Sequence, residues 1–171
     1  MEKYQLLPEQ LCFEGTVADS AFFAPKALGE PLLSAVHSEA YLHKIREGKL
    51  SPQEERRTGF PWSPELFHRE VAIMGGTVEA AERALRLGVG MNIAGGTHHA
   101  FKDRGEGFCL LNDLVLAAHW LLKGGHARRI LIVDLDVHQG NGTAALCAEL
   151  PEVFTFSMHG EKNYPLRKEP S

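Results

Sequence analysis

The chain has 171 residues, 44% of them hydrophobic and 23% charged, with a formal net charge of -4 at pH 7. That length fits one domain with a real core, and the charge leaves no electrostatic footprint for direct nucleic-acid binding. The densest basic spots, Arg56-Arg57 and Arg128-Arg129, read as solvated loops. Cys12, Cys109 and Cys147 are odd in number, widely spaced and without a CxxC pair, which argues against a disulfide framework and for a reducing setting. No apolar run of signal-peptide or membrane-spanning type stands out, so the expectation is a soluble, cytoplasmic chain with no membrane partner.

Residues 1–36, interrupted by Pro8, Pro25 and Pro31, predict short helices and loops. From Ser34 to Glu47, Val36, Ala40, Tyr41 and Ile45 recur at helical spacing, and Gly48 closes the segment. Residues 48–65 contain three prolines and no period, and read as a loop. A long helix follows, with Ser63 as N-cap, Pro64 in the first turn, Glu65 at the positive end and Gly88 as the stop. Gly75-Gly76 in its middle lowers helix propensity, which points to close packing against another backbone.

Met91–Ala94, Ile130–Leu135 and Val153–Met158 then predict three strands, with helices near Asn112–Lys123 and Gly142–Glu149 between them. The nearly unbroken run ILIVDL predicts a strand buried on both faces. Strand alternating with helix implies a parallel sheet covered by helices. A polar cluster follows each strand: Gly95–His99, Asp134–Asn141 and Ser157–His159. Ligands in such sheets bind beyond the carboxyl ends of the strands, so the three clusters are expected to converge on one site.

In Asp134-Leu135-Asp136-Val137-His138, alternate residues project to one side, which lets Asp136 and His138 point at one ion. Two carboxylates at a buried strand end resist ionisation unless a cation or donors compensate them. The competing reading makes Asp134 a loop cap and His138 a core histidine. His98-His99 follows a flexible Gly95-Gly96, and imidazole titrates near neutral pH as a general acid or base must. The pair is otherwise an ordinary surface feature. Gly105-Glu106-Gly107-Phe108-Cys109 is either a turn with a core phenylalanine or a loop whose Phe108 lines an apolar channel.

The runs GGTHHAFKDRGEGFCLLND, ILIVDLDVHQGNGTA and FTFSMHG resemble the histone deacetylase and acetoin-utilisation family in order and spacing. The resemblance extends from about His37 to the end and is most specific between Gly95 and His159. HQGNG stands where class I members have HHGDG, as in class IV-like and bacterial members. The fold this implies is α/β, a three-layer α/β/α domain with a parallel sheet (the arginase/deacetylase fold), of which residues 1–171 form a truncated part of a single domain.

The resemblance further implies a catalytic Zn2+, or another divalent metal, with Asp136 and His138 as two of its three protein ligands. It makes His98 and His99 the proton-handling pair, with Asp134 holding the first and Asn141 the second. An amide at position 141 orients the ring without negative charge, so His99 is expected to be less basic than in class I. Gly107 and Phe108 match substrate-channel residues. Asp134, Ser157 and the backbone oxygens of Asp136, His138 and Met158 match a K+ site. The implied substrate is an acetylated lysine or an acetylated small amine.

The family's third ligand, an aspartate, and its oxyanion tyrosine lie beyond the segment matching His159, and Tyr164 comes too early to match that tyrosine. The expectations are therefore a depleted metal site, little activity of the chain alone, and self-association through an unpaired sheet edge. Two other readings compete. A binuclear manganese ureohydrolase of the same fold prefers DxHxD to the DxDxH found here, and a non-catalytic remnant would bind a partner through the exposed edge.

Overall fold

Ser63 accepts a hydrogen bond from the Leu66 amide at 3.1 Å, and from that cap a helix runs from Pro64 to Leu87 before Gly88 turns left-handed at φ 86°. Its buried stripe, which includes Val71, Ile73, Met74 and Val78, makes it the spine of the core. The computed structural model describes residues 2–170. Before the spine come α1 (Lys3–Phe13), a 3-10 turn at Asp19–Ala21, α2 (Glu30–Val36), α3 (Glu39–Arg46) and α4 (Pro52–Thr58). The spine is α5 (Pro64–Leu87), followed by α6 (Asp113–Lys123), β1 (Ile130–Asp134), α7 (Asn141–Cys147) and β2 (Val153–Ser157). Helix α6 packs against α5, α2 and α7, and α7 packs against β2.

In α5, Gly75 packs against another backbone as predicted, whereas Gly76 packs against a side chain. A Cβ on Gly75 would run into the backbone carbonyl of Lys26, and one on Gly76 would stand 2.9 Å from Asn92 Nδ2. The Leu28 amide donates to Val71 O at 3.0 Å, so the strap 26–28 lies directly on the helix.

Four expectations need correction. The helix expected from Ser34 to Glu47 is two helices, because His37 and Ser38 are extended (ψ 148° and 142°). Ser38 Oγ caps α3 through the Tyr41 amide, while its own amide donates to Lys102 O. The loop expected over 48–65 contains α4. Ser51 and Glu54 form a capping box there, Pro52 sits in the first turn, and Gly59 closes the helix at φ 77°.

Met91–Ala94 forms no strand. Asn92 holds the segment to α5 instead, its Nδ2 donating to Ile73 O at 2.9 Å and to Thr77 Oγ1 at 2.7 Å, and no sheet partner lies beside it among the described residues.

The sheet therefore has two described strands, parallel and in register from Ile130↔Val153 to Asp134↔Ser157. Ile132 and Val153 enter the core. The other face carries Leu131, Val133, Phe154 and Phe156, each at least 47% exposed. Burial on both faces of β1, as the apolar run predicted, does not hold among the described residues, because no described element packs on that side. What the sheet does deliver is alignment: Asp134 and Ser157 end neighbouring strands side by side.

Gly75→Ala tests the close approach. In an open helix the change is favourable by about 0.8–1 kcal/mol. Here the backbone carbonyl of Lys26 cannot yield cheaply, so a loss of about 1–3 kcal/mol is expected in urea unfolding.

Candidate active site

Asn112 and Asp113 begin α6, and between them they clamp the segment that holds the histidine pair. Asp113 is fully buried. Its carboxylate accepts from the amides of Gly96 (3.0 Å) and Thr97 (2.8 Å) and from the hydroxyls of Thr97 (2.8 Å) and Thr77 (2.6 Å). Asn112 caps α6 through Val115 N and donates its amide to Ala100 O at 3.2 Å and Thr143 Oγ1 at 3.1 Å. Residues on both sides of His98-His99 are thus tied to one helix start. The Thr143 amide of α7 donates to His98 O, and Gly142 abuts the Ala100 carbonyl, so a side chain there has no room.

A third buried group completes the clamp. His37 lies between Phe101 O, 2.9 Å from Nδ1, and the Asn112 amide, 3.0 Å from Nε2. A carbonyl only accepts and an amide only donates, so the ring is neutral with its proton on Nδ1. Burial pushes its pKa down to about 4, against a smaller opposing effect of the Phe101 hydrogen bond.

The histidine rings lie 4.1 Å apart between centroids and are buried. His98 Nδ1 meets Asp134 Oδ2 at 2.6 Å, and His99 Nδ1 meets Asn141 Oδ1 at 2.7 Å. Asp134 also accepts from the Asp136 amide at 3.0 Å, so it caps the loop and holds a histidine at once. Partial burial opposes its ionisation, but the hydrogen bond and charge of His98 outweigh this and hold its carboxyl below the usual range. Burial pushes His99 down, with His98 and His138 adding to the effect and Asn141 and Glu106 opposing it.

Asp136 Oδ1 and His138 Nδ1 stand 3.0 Å apart on side chains that are about half exposed. His138 is therefore no core histidine. Donors around a tetrahedral zinc with bonds of about 2.0–2.1 Å lie roughly 3.3 Å from each other, so the pair suits two such positions. Among the described residues no group of three or more His, Cys, Asp and Glu comes together as a metal cluster. The residues present fit two donors of a zinc site. Ser157 lies beside Asp134, with the Met158 amide on Asp134 O at 3.0 Å and Ser157 Oγ 2.9 Å from His159 Nδ1.

Gly107 packs on His99: a Cβ there would be 2.6 Å from His99 Cδ2. Phe108 is not a core residue but 67% exposed, at a left-handed φ of 63° that non-glycine residues seldom adopt. The amides of Gly107 and Phe108 donate to Arg57 O and Thr58 O, each at 3.0 Å, and the Phe108 ring meets Phe60 edge-on at 5.7 Å. Helix α4 is thus what holds this loop at the mouth of the site.

The structure brings His98, His99, Asp134, Asn141, Asp136 and His138 into one cluster with Gly107 against it and Phe108 at the rim. It adds Tyr164, whose ring lies 5.0 Å from His99 and 6.4 Å from His138, with its phenol pushed up to about 12 by burial and by Glu106. It also adds Glu106, which accepts from Asn141 Nδ2 at 2.6 Å.

The sequence profile of the histone deacetylase domain matches residues 1–171. The chain belongs to the histone deacetylase family. It is similar to an uncharacterised protein of Picosynechococcus sp., 44% identical over 171 residues, which are 100% of this chain and 57% of that protein. It is similar also to the acetoin utilization protein AcuC of Bacillus subtilis, 30% identical over 85% of this chain and 40% of AcuC. A crystal structure of an HDAC homologue complexed with SAHA matches with a TM-score of 0.82 at 29% identity, over 95% of this chain and 46% of that one. The deacetylase fold inferred from the motifs is therefore the fold observed. The chain spans about half the length of these relatives. Among the described residues no helix is long and apolar enough to cross a membrane.

Two outcomes follow from the clamp. Asp113→Ala leaves the buried amide and hydroxyl of Thr97 without their acceptor, and a loss of about 3 kcal/mol is expected in chemical denaturation. His37 has a folded pKa below its unfolded 6.5, so the unfolded chain binds the proton first. The stabilisation is present above pH 6.5 and is lost as pH falls towards 4. Relative to His37→Gln, wild type should lose about 2 kcal/mol by about pH 5. Parallel pH dependence of the two proteins would refute the assignment.

Proposed function

We propose that this chain supplies the proton-handling pair and two metal donors of a deacetylase that hydrolyses the acetyl amide of a lysine or small amine. One observation carries the reading. Both histidines have Nδ1 engaged by an oxygen acceptor, Asp134 or Asn141, while neither Nε2 bonds to any described residue. Each ring is thereby prepared to accept a proton at Nε2 and, once protonated, to return it. One removes the proton of the attacking water and the other protonates the leaving amine.

Zinc at Asp136 and His138 would supply Lewis acidity and an acidified water. Asp136 and His138 hold donors to that ion from a half-exposed loop, leaving positions for water, substrate and further ligands. His98 faces the carboxylate of Asp134, whereas His99 faces a neutral amide and is pushed down by burial, so His99 gives up a proton more readily than a free imidazole. Asp134, Ser157 and Met158 form the strand-end cradle assigned to K+, where a cation would further compensate the carboxylate. Gly107 and Phe108 suit the passage of an extended acyl-lysine stem past His99.

Zinc retention tests the ligands. The wild-type chain should bind zinc in equilibrium dialysis, Asp136→Ala and His138→Ala should lose it, and His98→Ala should keep it. Retention unaffected by Asp136→Ala would overturn the assignment. The reaction is tested by acetate release from acetyl-lysine peptides and acetylpolyamines, with this chain and with the longest product of its reading frame. Release should be blocked by SAHA and by chelator and reduced about 10²–10⁴-fold by His99→Ala.

The open apolar face of Leu131, Val133, Phe154 and Phe156 favours a second reading, in which the chain associates with a second copy of itself. Light scattering that shows a monomer at all concentrations would remove it.

A further inference from the structure

We infer that Glu106 is a positioning residue that fixes the tautomer of His99 through the side-chain amide of Asn141. The argument starts from what an amide cannot do. A carboxylate beside a histidine accepts only, so it dictates an N–H on the ring nitrogen facing it, as Asp134 does for His98. An asparagine presents an oxygen at one end and an NH2 at the other, and either can face the ring. With its oxygen towards His99, Nδ1 carries the proton and Nε2 keeps its lone pair. With the NH2 towards His99 the assignment reverses, and Nε2 carries the proton in the neutral ring.

Glu106 removes the ambiguity. Its Oε1 lies 2.6 Å from Asn141 Nδ2. The flipped amide would put two oxygens at that separation with no proton between them, which is repulsive. Oδ1 must therefore face His99, where it is found 2.7 Å from Nδ1. The chain His99–Asn141–Glu106 thus ends on an acceptor-only group, one residue further out than in the His98–Asp134 pair.

The backbone is bent to permit this. Gly107 and Phe108 are both left-handed, at φ 58° and 63°, and the Cys109 amide returns to Glu106 O at 3.0 Å. This tight reversal directs Glu106 to Asn141 and still returns Cys109 to the core. Arg104 Nε stands 3.8 Å from the other oxygen, Oε2, and sets its side of the carboxylate. A left-handed phenylalanine is strained, and keeping Glu106 on the amide is what the strain achieves here.

The functional consequence rests on the deacetylase reading, since a lone pair on Nε2 matters only where that nitrogen handles protons. The tautomer itself does not depend on that reading. Nitrogen-15 NMR of the labelled chain above neutral pH, with His99 assigned by its loss in His99→Gln, reads it directly. Wild type should show Nδ1 protonated and Nε2 bare. Glu106→Gln offers either end of an amide to Asn141, so both tautomers should appear; Glu106→Ala should give the same mixture. Asn141→Asp places an acceptor against Glu106 and should perturb the site, whereas Asn141→Asp combined with Glu106→Gln should recover the wild-type pattern.

Thermal melts of all variants separate this from unfolding, and the conservative Glu106→Gln change serves if Glu106→Ala does not fold. In the longest product of the reading frame, Glu106→Gln should lower kcat in proportion to the Nδ1–H fraction that the NMR reads, about 2-fold for an even mixture, with KM unchanged. A single Nδ1–H tautomer in Glu106→Gln, or no recovery in the double variant, would overturn the inference. Loss of the deacetylase reading alone would appear as absent acetate release with the tautomer pattern intact.

Discussion

The site depends on a carboxylate that never meets water. Asp113 has no exposed surface, and a bare carboxylate in such a place would cost several kcal/mol. It is tolerated because four donors converge on it, two of them backbone amides of the turn before the histidines. The reverse also holds. Those amides belong to a loop without a strand ladder, and the buried Thr97 amide would be stranded without the carboxylate. Helix start and histidine loop therefore satisfy each other, and neither keeps its geometry alone. Asn112 and His37 extend the same reciprocity to Ala100 and Phe101.

That rigidity explains how two imidazoles are held 4.1 Å apart, close enough to disfavour charging both. Each ring is anchored at Nδ1 by an acceptor of different character. Asp134 brings negative charge and has its own ionisation favoured by His98; Asn141 brings none, and burial dominates at His99. One fixed scaffold thus gives two adjacent histidines unlike partners, a carboxylate for His98 and an amide for His99.

The local signals in the chain were legible where one physical cause acted alone. Ser63, Pro64 and Gly88 bounded α5 correctly because caps are chemistry of a few neighbouring residues. Gly75-Gly76 announced close packing because nothing else rewards two glycines in a helix. Signals failed where causes competed. Ser51-Pro52-Gln53-Glu54 is a capping box, but the surrounding prolines masked α4. Met91–Ala94 is apolar enough for a strand, but strands need neighbours, and Asn92 ties this one to a helix.

In the site, DxDxH and the paired histidines marked their own positions. Asp113, His37 and Glu106 did not, because an isolated acid or imidazole in a sequence carries no sign of what it will hold. Tyr164 lies too early in the chain to match the family's tyrosine, and nothing local in the sequence shows that its ring comes to lie 5.0 Å from His99.

The two halves of the site differ in firmness, and Asp134 is where they join. His98 and His99 are buried in a network with every Nδ1 engaged, whereas Asp136 and His138 stand half exposed and bond mainly to each other. Asp134 bonds to His98 through one oxygen and to the Asp136 amide through the other, at the end of a strand paired in register with Ser157. A group that handles protons gains from fixed geometry, because misplacement by a fraction of an ångström weakens transfer steeply. Sheet, helix start and strained loop therefore converge on the histidines, and the Asp134 carboxylate ties His98 to the start of the loop that carries Asp136 and His138.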